Sequence, residues 1–207
     1  LALYGVPVVG ERLARTAAEA VAAAAALGYP VALKACSPDL PHKTEAGVIR
    51  LGLRNAGAVR AAFSAIMARA CAVVPAALVH GVLVQPMVPA GVELVVSARI
   101  DPLFGPLVIV GLGGVLVEVL ADTALALAPV SVPEALALLG RLRGARLLDG
   151  FRGAPAVDRG RLAEVIAAVS RFAADHQKAI AELDVNPLIG VGELIVAVDA
   201  LIVTRQG

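Results

Sequence analysis

ELDVNPLIGVGELIVAVDA, Glu182–Ala200, sets two apolar runs on either side of Gly-Val-Gly-Glu, the pattern of a β-hairpin. The runs predict strands over 180–189 and 194–203. A tip at Val191-Gly192 places Asp184 directly opposite Asp199. Asn186, two residues from Asp184, then projects from the same face. Opposed carboxylates repel and weaken a sheet, and a divalent cation held between them reverses the sign. Asp and Asn oxygens suit Mg2+, which keeps several waters and takes further oxygens from substrate phosphates. A solvent-facing hairpin with inert acids is the other reading. Against it stands the apolar setting of both acids, in LDVNPLI and LIVAVDALIV.

Outward from the hairpin, helices and strand hairpins follow one another with no regular strand–helix–strand alternation. The fold class is therefore α+β with antiparallel sheets. Thr16 with Glu19 caps a helix that Gly28 ends, and VALK ends at Lys34 as a buried strand. VIRLGL (Val48–Leu53) returns, and Asn55 caps a second helix running to Arg69. GVLVQPMV and GVELVVSARI form two more strands. LVIVG and VLVEVL follow, Ser131 with Glu134 starts a helix, and Asp158 caps another that reaches His176.

Composition narrows the function classes. A net charge of +1 and 3% aromatic residues argue against a nucleic-acid binder. The hydrophobic fraction of 59% is largely alanine. The longest run free of Asp, Glu, Lys and Arg, Ala70 to Val92, is broken by prolines and reads as turn plus strand, so neither a transmembrane helix nor a targeting segment is expected. Cys36 and Cys71 are too few for a disulfide framework or a zinc site, which points to a reducing cytoplasm. The chain opens on Leu1, as a piece of a longer polypeptide would. Arg141, Arg143, Arg146, Arg152, Arg159 and Arg161 form the one basic cluster, either a solvated face or a phosphate or CoA contact.

The polar chemistry gathers in LKACSPDLPHKTEAG, Leu33–Gly47. Lys34 ends an apolar strand, where it either reaches a phosphate oxygen or snorkels to solvent. His42, next to Lys43, has the chemistry of a phosphorus nucleophile near neutral pH, though a lone histidine is more often structural. Cys36 reads as a small buried residue sooner than as a reactive thiol. Glu93 opens one apolar strand and Glu118 interrupts another. Each fits a ribose or metal contact, or a plain strand-end charge. GLGG (Gly111–Gly114) permits close phosphate approach but lacks the Lys-Ser/Thr of a phosphate loop.

Together YGVPV, LGYPVALK, SPDLPHKTEAGVIRLGL, GVLVQPMV, GVELVVSARIDPLFGP, GLGGVLVEVL and ELDVNPL with the later VDA resemble, in order and spacing, the ATP-grasp domain of ADP-forming acyl-CoA synthetases, which are related to the succinyl-CoA synthetase β subunit. The resemblance implies two lobes of mainly antiparallel sheet flanked by helices, 1–88 and 89–207, with a nucleotide site between them. It assigns Lys34 to nucleotide phosphates, Gln85, Pro86, Met87 and Val88 to adenine, and Glu93 to the nucleotide site. Asp184, Asn186 and Asp199 go to Mg2+, and His42 becomes a phosphohistidine way station between acyl phosphate and ADP. Ser97 stands where the family usually has glycine, and Val48 where it has the second of a glycine pair. The expected ligands are ATP or ADP and Mg2+. The expected partner is a CoA-binding and CoA-ligase module, on a separate subunit or upstream in the same chain, within an oligomeric enzyme. A second function is a ligand-sensing module fused to a protein acetyltransferase; retention of His42, Lys34, Asp184, Asn186 and Asp199 favours the enzyme module, while the departures at Val48 and Ser97 keep the sensor open.

Overall fold

Each helix begins where its sequence offers the backbone an acceptor. The Thr16 hydroxyl accepts the Glu19 N–H ahead of α1 (Ala17–Leu27), and Asn55 Oδ1 accepts the Ala58 N–H ahead of α2 (Ala56–Val73). Ser131 and Glu134 form a complete capping box on α3 (Val132–Arg141), and Asp158 caps α4 (Arg159–Asp175). These side chains satisfy N–H groups that the first turn leaves without partners. The computed structural model describes residues 1–40, 43, 46–75, 78–114, 121–151 and 153–205.

Two compact units result, Val9–Val88 and Leu1–Val8 with Pro89–Gly207. In the first, β1 (Arg12–Ala14), β2 (Val31–Cys36), β3 (Ile49–Leu53) and β4 (Gly81–Pro86) form an antiparallel sheet in the order β1-β4-β2-β3. Val31, Leu33, Ala35, Val82 and Val84 alternate along it and pack against Val59, Phe63 and Ile66 of α2 and Ala20 and Ala24 of α1. Each large apolar side chain so buried contributes roughly 1.5–3 kcal/mol. By length and composition α2 is the one helix among the described residues able to cross a membrane. Here its Val59, Ala62, Phe63, Ile66 and Ala70 recur at helical spacing and are buried in this core.

The second unit has a six-stranded sheet: β5 (Val92–Asp101), β6 (Gly105–Leu112), β7 (Thr123–Leu127), β8 (Ile180–Val191), β9 (Leu194–Ala197) and β10 (Ala200–Thr204). The order is β10-β8-β5-β6-β7, with β9 on the same side of β8 as β10. α3 and α4 cover one face through Leu138, Leu139, Leu162, Ile166 and Val169. The first eight residues belong here even though they open the chain, so a lobe drawn at 1–88 assigns them to the other unit. Val6 is buried in this core, the Tyr4 hydroxyl donates to Asp175 (2.8 Å), and Pro7 O accepts the Ala197 N–H (2.8 Å).

The hairpin register differs from the sequence expectation. Val191 pairs with Leu194, which puts Gly192-Glu193 at the tip. Gly192 has φ 57°, and a glycine at the first central position is what a tight hairpin turn requires. The one-residue move of the tip slides each partner by two. Asp184 therefore faces Leu201, and Asp199 faces Asn186, whose N–H donates to Asp199 O (3.1 Å). β8 also carries one extra residue against β5, since Leu94 pairs with Leu188 but Val96 pairs with Val185. The bulge falls at Asn186-Pro187, where proline has no N–H to lose from a ladder.

Ahead of β7, the buried Asp122 carboxylate accepts the N–H groups of Arg143 and Gly144, both at 2.8 Å, and so fixes the turn after α3. Asp122→Ala leaves both donors without an acceptor and is expected to cost about 2–4 kcal/mol. Asp122→Asn, which keeps one acceptor oxygen, should cost less. Urea unfolding followed by circular dichroism measures both.

Candidate functional site

Strand alternation separates the polar side chains of β2 from its core. Val31, Leu33 and Ala35 face the helices, so Ala32, Lys34 and Cys36 take the opposite face. Lys34 is 5% exposed, lying between Leu83 of β4 and Ile49 of β3. Gln85, opposite Ala32, shares that face and is buried, and its side-chain amide donates to Glu11 Oε2 at 2.6 Å. Pro86 ends β4. The Met87 N–H is taken by Pro30 O (3.0 Å), and Val88 is half-buried where the unit ends. Lys34 and Gln85 are thus brought onto one sheet face. His42 lies outside the described residues, as does Glu118.

The second sheet separates its residues the same way. Leu94, Val96 and Ala98 of β5 and Leu183 and Val185 of β8 enter the core. Glu93, Ser97, Asp184 and Asn186 take the face opposite the core by strand alternation. The Asp199 backbone stands opposite Asn186 and diagonal to Asp184 in this register, a spacing of roughly 7–8 Å between backbones. The two carboxylates are therefore neighbours without direct opposition, and the expected repulsion is relieved by register. Among the described residues no three His, Cys, Asp or Glu side chains converge as a metal cage. Two carboxylates and an amide still fit Mg2+, a cation that draws its remaining oxygens from water and phosphates.

Two contacts here are not readable from the sequence, although Ser97 itself stands out there as a departure. The Ser97 hydroxyl donates to Asp184 Oδ1 across β5 and β8, and only the register reveals it. Glu11 gives no motif signal, yet its carboxylate receives Gln85. The glycines of GLGG serve Glu93: Gly113 N–H donates to Glu93 O at 2.6 Å, and a Cβ at Gly114 would lie 3.0 Å from Glu93 Oε2. Three of the clustered arginines have protein partners. Arg159 bonds Asp149 (2.8 Å) and Ala145 O, Arg161 approaches Glu193 (3.3 Å), and Arg141 reaches Leu125 O. Arg152 lies outside the described residues.

The chain matches the family described as ATP-grasp domain over residues 1–204. It is 38% identical over 200 residues to the acetate–CoA ligase (ADP-forming) I subunit beta of Pyrococcus furiosus, covering 97% of this chain and 86% of that one. It is 40% identical over 189 residues to the 4-hydroxybutyrate–CoA ligase (ADP-forming) of Nitrosopumilus maritimus, covering 91% of this chain but 27% of that much longer one. Among solved structures, a Ca. Korarchaeum cryptofilum dinucleotide forming acetyl-coenzyme A synthetase 1, in complex with coenzyme A, Ca-AMPCP and HgCl+, superposes with a TM-score of 0.93. That match has 38% identity and covers 99% of this chain and 89% of that one.

Cys36 reports on the Lys34 face. Burial pushes its thiol pKa up, the Glu11 carboxylate adds to the rise, and the Lys43 ammonium opposes it. Iodoacetamide should therefore label the exposed Cys71 before Cys36. Glu11→Gln removes a negative charge and should move the Cys36 rate profile to lower pH, while Lys43→Ala should move it higher. Peptide mass spectrometry across a pH series checks this, and an unchanged profile in Glu11→Gln would separate the carboxylate from the thiol.

Proposed function

The chain belongs to the ATP-grasp domain family, and from that premise we propose that it is the nucleotide-binding and phosphotransfer module of an ADP-forming acid–CoA ligase. The observation that carries the reading is the oxygen donor set on the sheet face opposite the core. Asp199 faces Asn186, and Asp184 lies two residues along the same strand. Such a set holds Mg2+ in company with nucleotide phosphates. The bound Ca-AMPCP of the Korarchaeum synthetase, a nucleotide analogue with a divalent cation, supports the same pairing here.

In this reading Lys34 meets the nucleotide phosphates with a point charge whose burial strengthens the attraction. The backbone of Gln85–Val88 meets the adenine. Gln85 and Pro86 pair with Ala32 and Val31 and the Met87 N–H is given to Pro30 O, so this segment is held in place by β2 and the loop before it. Glu93 contacts the nucleotide, as does Glu118. His42 carries the phosphoryl group. A histidine of the CoA-ligase module first takes the phosphoryl group from an acyl phosphate and the carboxylate leaves; an imidazole nitrogen of His42 then attacks that phosphorus and the first histidine is released. A terminal oxygen of ADP then attacks the phosphohistidine, forming ATP and returning the imidazole. The acyl phosphate arises on a CoA-ligase module, which is a separate subunit or a further part of a longer chain. This chain spans 86% of a β subunit and 27% of a longer ligase. Free thiols at Cys36 and Cys71 suit the reducing cytoplasm in which we place it.

Calorimetric titration of the chain with ADP, with and without Mg2+, tests the proposal. Binding should require the metal. Lys34→Ala should weaken it roughly 10- to 100-fold, the loss of one buried charge-assisted contact. His42→Ala should bind normally yet fail to take acid-labile phosphate from labelled ATP. No nucleotide affinity in a folded chain would overturn the reading. Binding without phosphotransfer, with a CoA-ligase module supplied, would turn it into a ligand-sensing module of the kind fused to an acetyltransferase.

A further inference from the structure

Two carboxylates occupy consecutive outward rows on β8, and the sheet treats them differently. Glu182 faces Arg99, whose Nη2 lies 3.9 Å from Oε2. Asp184 faces Ser97 and takes the serine hydroxyl on Oδ1. The rest of the Asp184 row is apolar, with Leu201 on one side and Ile109 beyond Ser97 on the other. One acid is thus matched to a cation and the next to a neutral donor.

The difference bears on cation binding. An arginine opposite Asp184 would neutralise it and compete with any other cation for its oxygens. A hydroxyl donates one hydrogen bond, restricts the carboxylate torsion and leaves the negative charge intact. Because exposed ion pairs add little stability, the Arg99–Glu182 pair matters chiefly as charge cancellation. It removes Glu182 as a rival site two residues from Asp184. Among the described residues Asp184 accepts its hydrogen bond through Oδ1, so Oδ2 is left for another ligand.

We propose that Ser97 is a positioning residue for the divalent cation, holding the Asp184 carboxylate in one orientation on the face it shares with Asn186, near Asp199. The inference rests on the metal reading of the preceding section and adds a residue that acts through a ligand. Outer-shell partners of this kind typically alter metal affinity 10- to 100-fold.

Mn2+ is the probe, its free concentration read by electron paramagnetic resonance during titration of the 207-residue chain in the presence of ADP. Ser97→Ala should weaken Mn2+ binding roughly tenfold or more. Ser97→Thr, which keeps the hydroxyl and favours a strand, should restore affinity close to that of the parent. Ser97→Arg, which gives Asp184 the partner that Glu182 already has, should weaken binding at least as much as alanine. Thermal midpoints near the parent value show that each variant is folded. If Asp184→Asn leaves Mn2+ affinity unchanged, the metal reading falls and the role of Ser97 with it. If Asp184→Asn weakens binding while Ser97→Ala matches the parent, the role of Ser97 alone is overturned. Equal losses in Ser97→Ala and Ser97→Thr also overturn it, since packing and not the hydroxyl would then be at work.

Discussion

Everything in the second unit depends on the register of β8. This strand is paired on both sides, with β5 along one and with β10 and β9 along the other. Among the described residues, the helices that pack on this sheet lie on one face. Sending Leu183 and Val185 into the core sends Asp184 and Asn186 out by the same geometry. A slip of one residue would bury a carboxylate and an amide and expose two apolar side chains, at a cost of several kcal/mol. The extra residue at Asn186-Pro187 then resets the alternation, so Leu188 is also buried. Without that bulge, strict alternation would carry Leu188 to the polar face.

The edge beside β8 is a single run in register that is interrupted as a strand. Asn186 N–H to Asp199 O and Val198 N–H to Pro187 O, at 3.1 and 3.0 Å, bridge the gap between β9 and β10. Asp199 therefore sits at a fixed place against the central strand although it lies outside both edge strands. The cation site proposed above would be built on a doubly paired strand and a tethered edge, a support that needs little reorganisation.

Local signals in the sequence proved legible because their physics is local. Thr16, Asn55, Ser131 and Asp158 cap helices within three residues of themselves, and each does so in the structure. The strand of Lys34 was readable too, from an apolar run before a charge. Pairing was harder. A tip at Val191-Gly192 and one at Gly192-Glu193 look alike in sequence, and only the conformation of Gly192 and the pairing on both sides of β8 decide between them. β1 and β7 escaped notice because short edge strands carry almost no periodicity. Ser97 and Glu11 act across strands, and no spacing along the chain reports such contacts. The assignments of His42 and Glu118 stand on family resemblance and chemistry.

GLGG shows why a motif needs its neighbours before it is given a role. As bare sequence it offers flexible backbone and N–H groups to a phosphate. In the fold, the Gly113 N–H already bonds Glu93 O, and a Cβ at Gly113 would come within 2.9 Å of the Glu93 backbone. Gly111 has its own constraint, since a Cβ there would lie 3.1 Å from Asp122 O. These glycines are demanded by the close approach of the β5 start and the β7 approach to β6, whether or not a phosphate ever arrives. Gly113 and Gly114 leave room for the Glu93 side chain at the strand start. The polar chemistry of this face therefore rests on side chains such as Glu93, and Gly113 and Gly114 are the space that Glu93 requires.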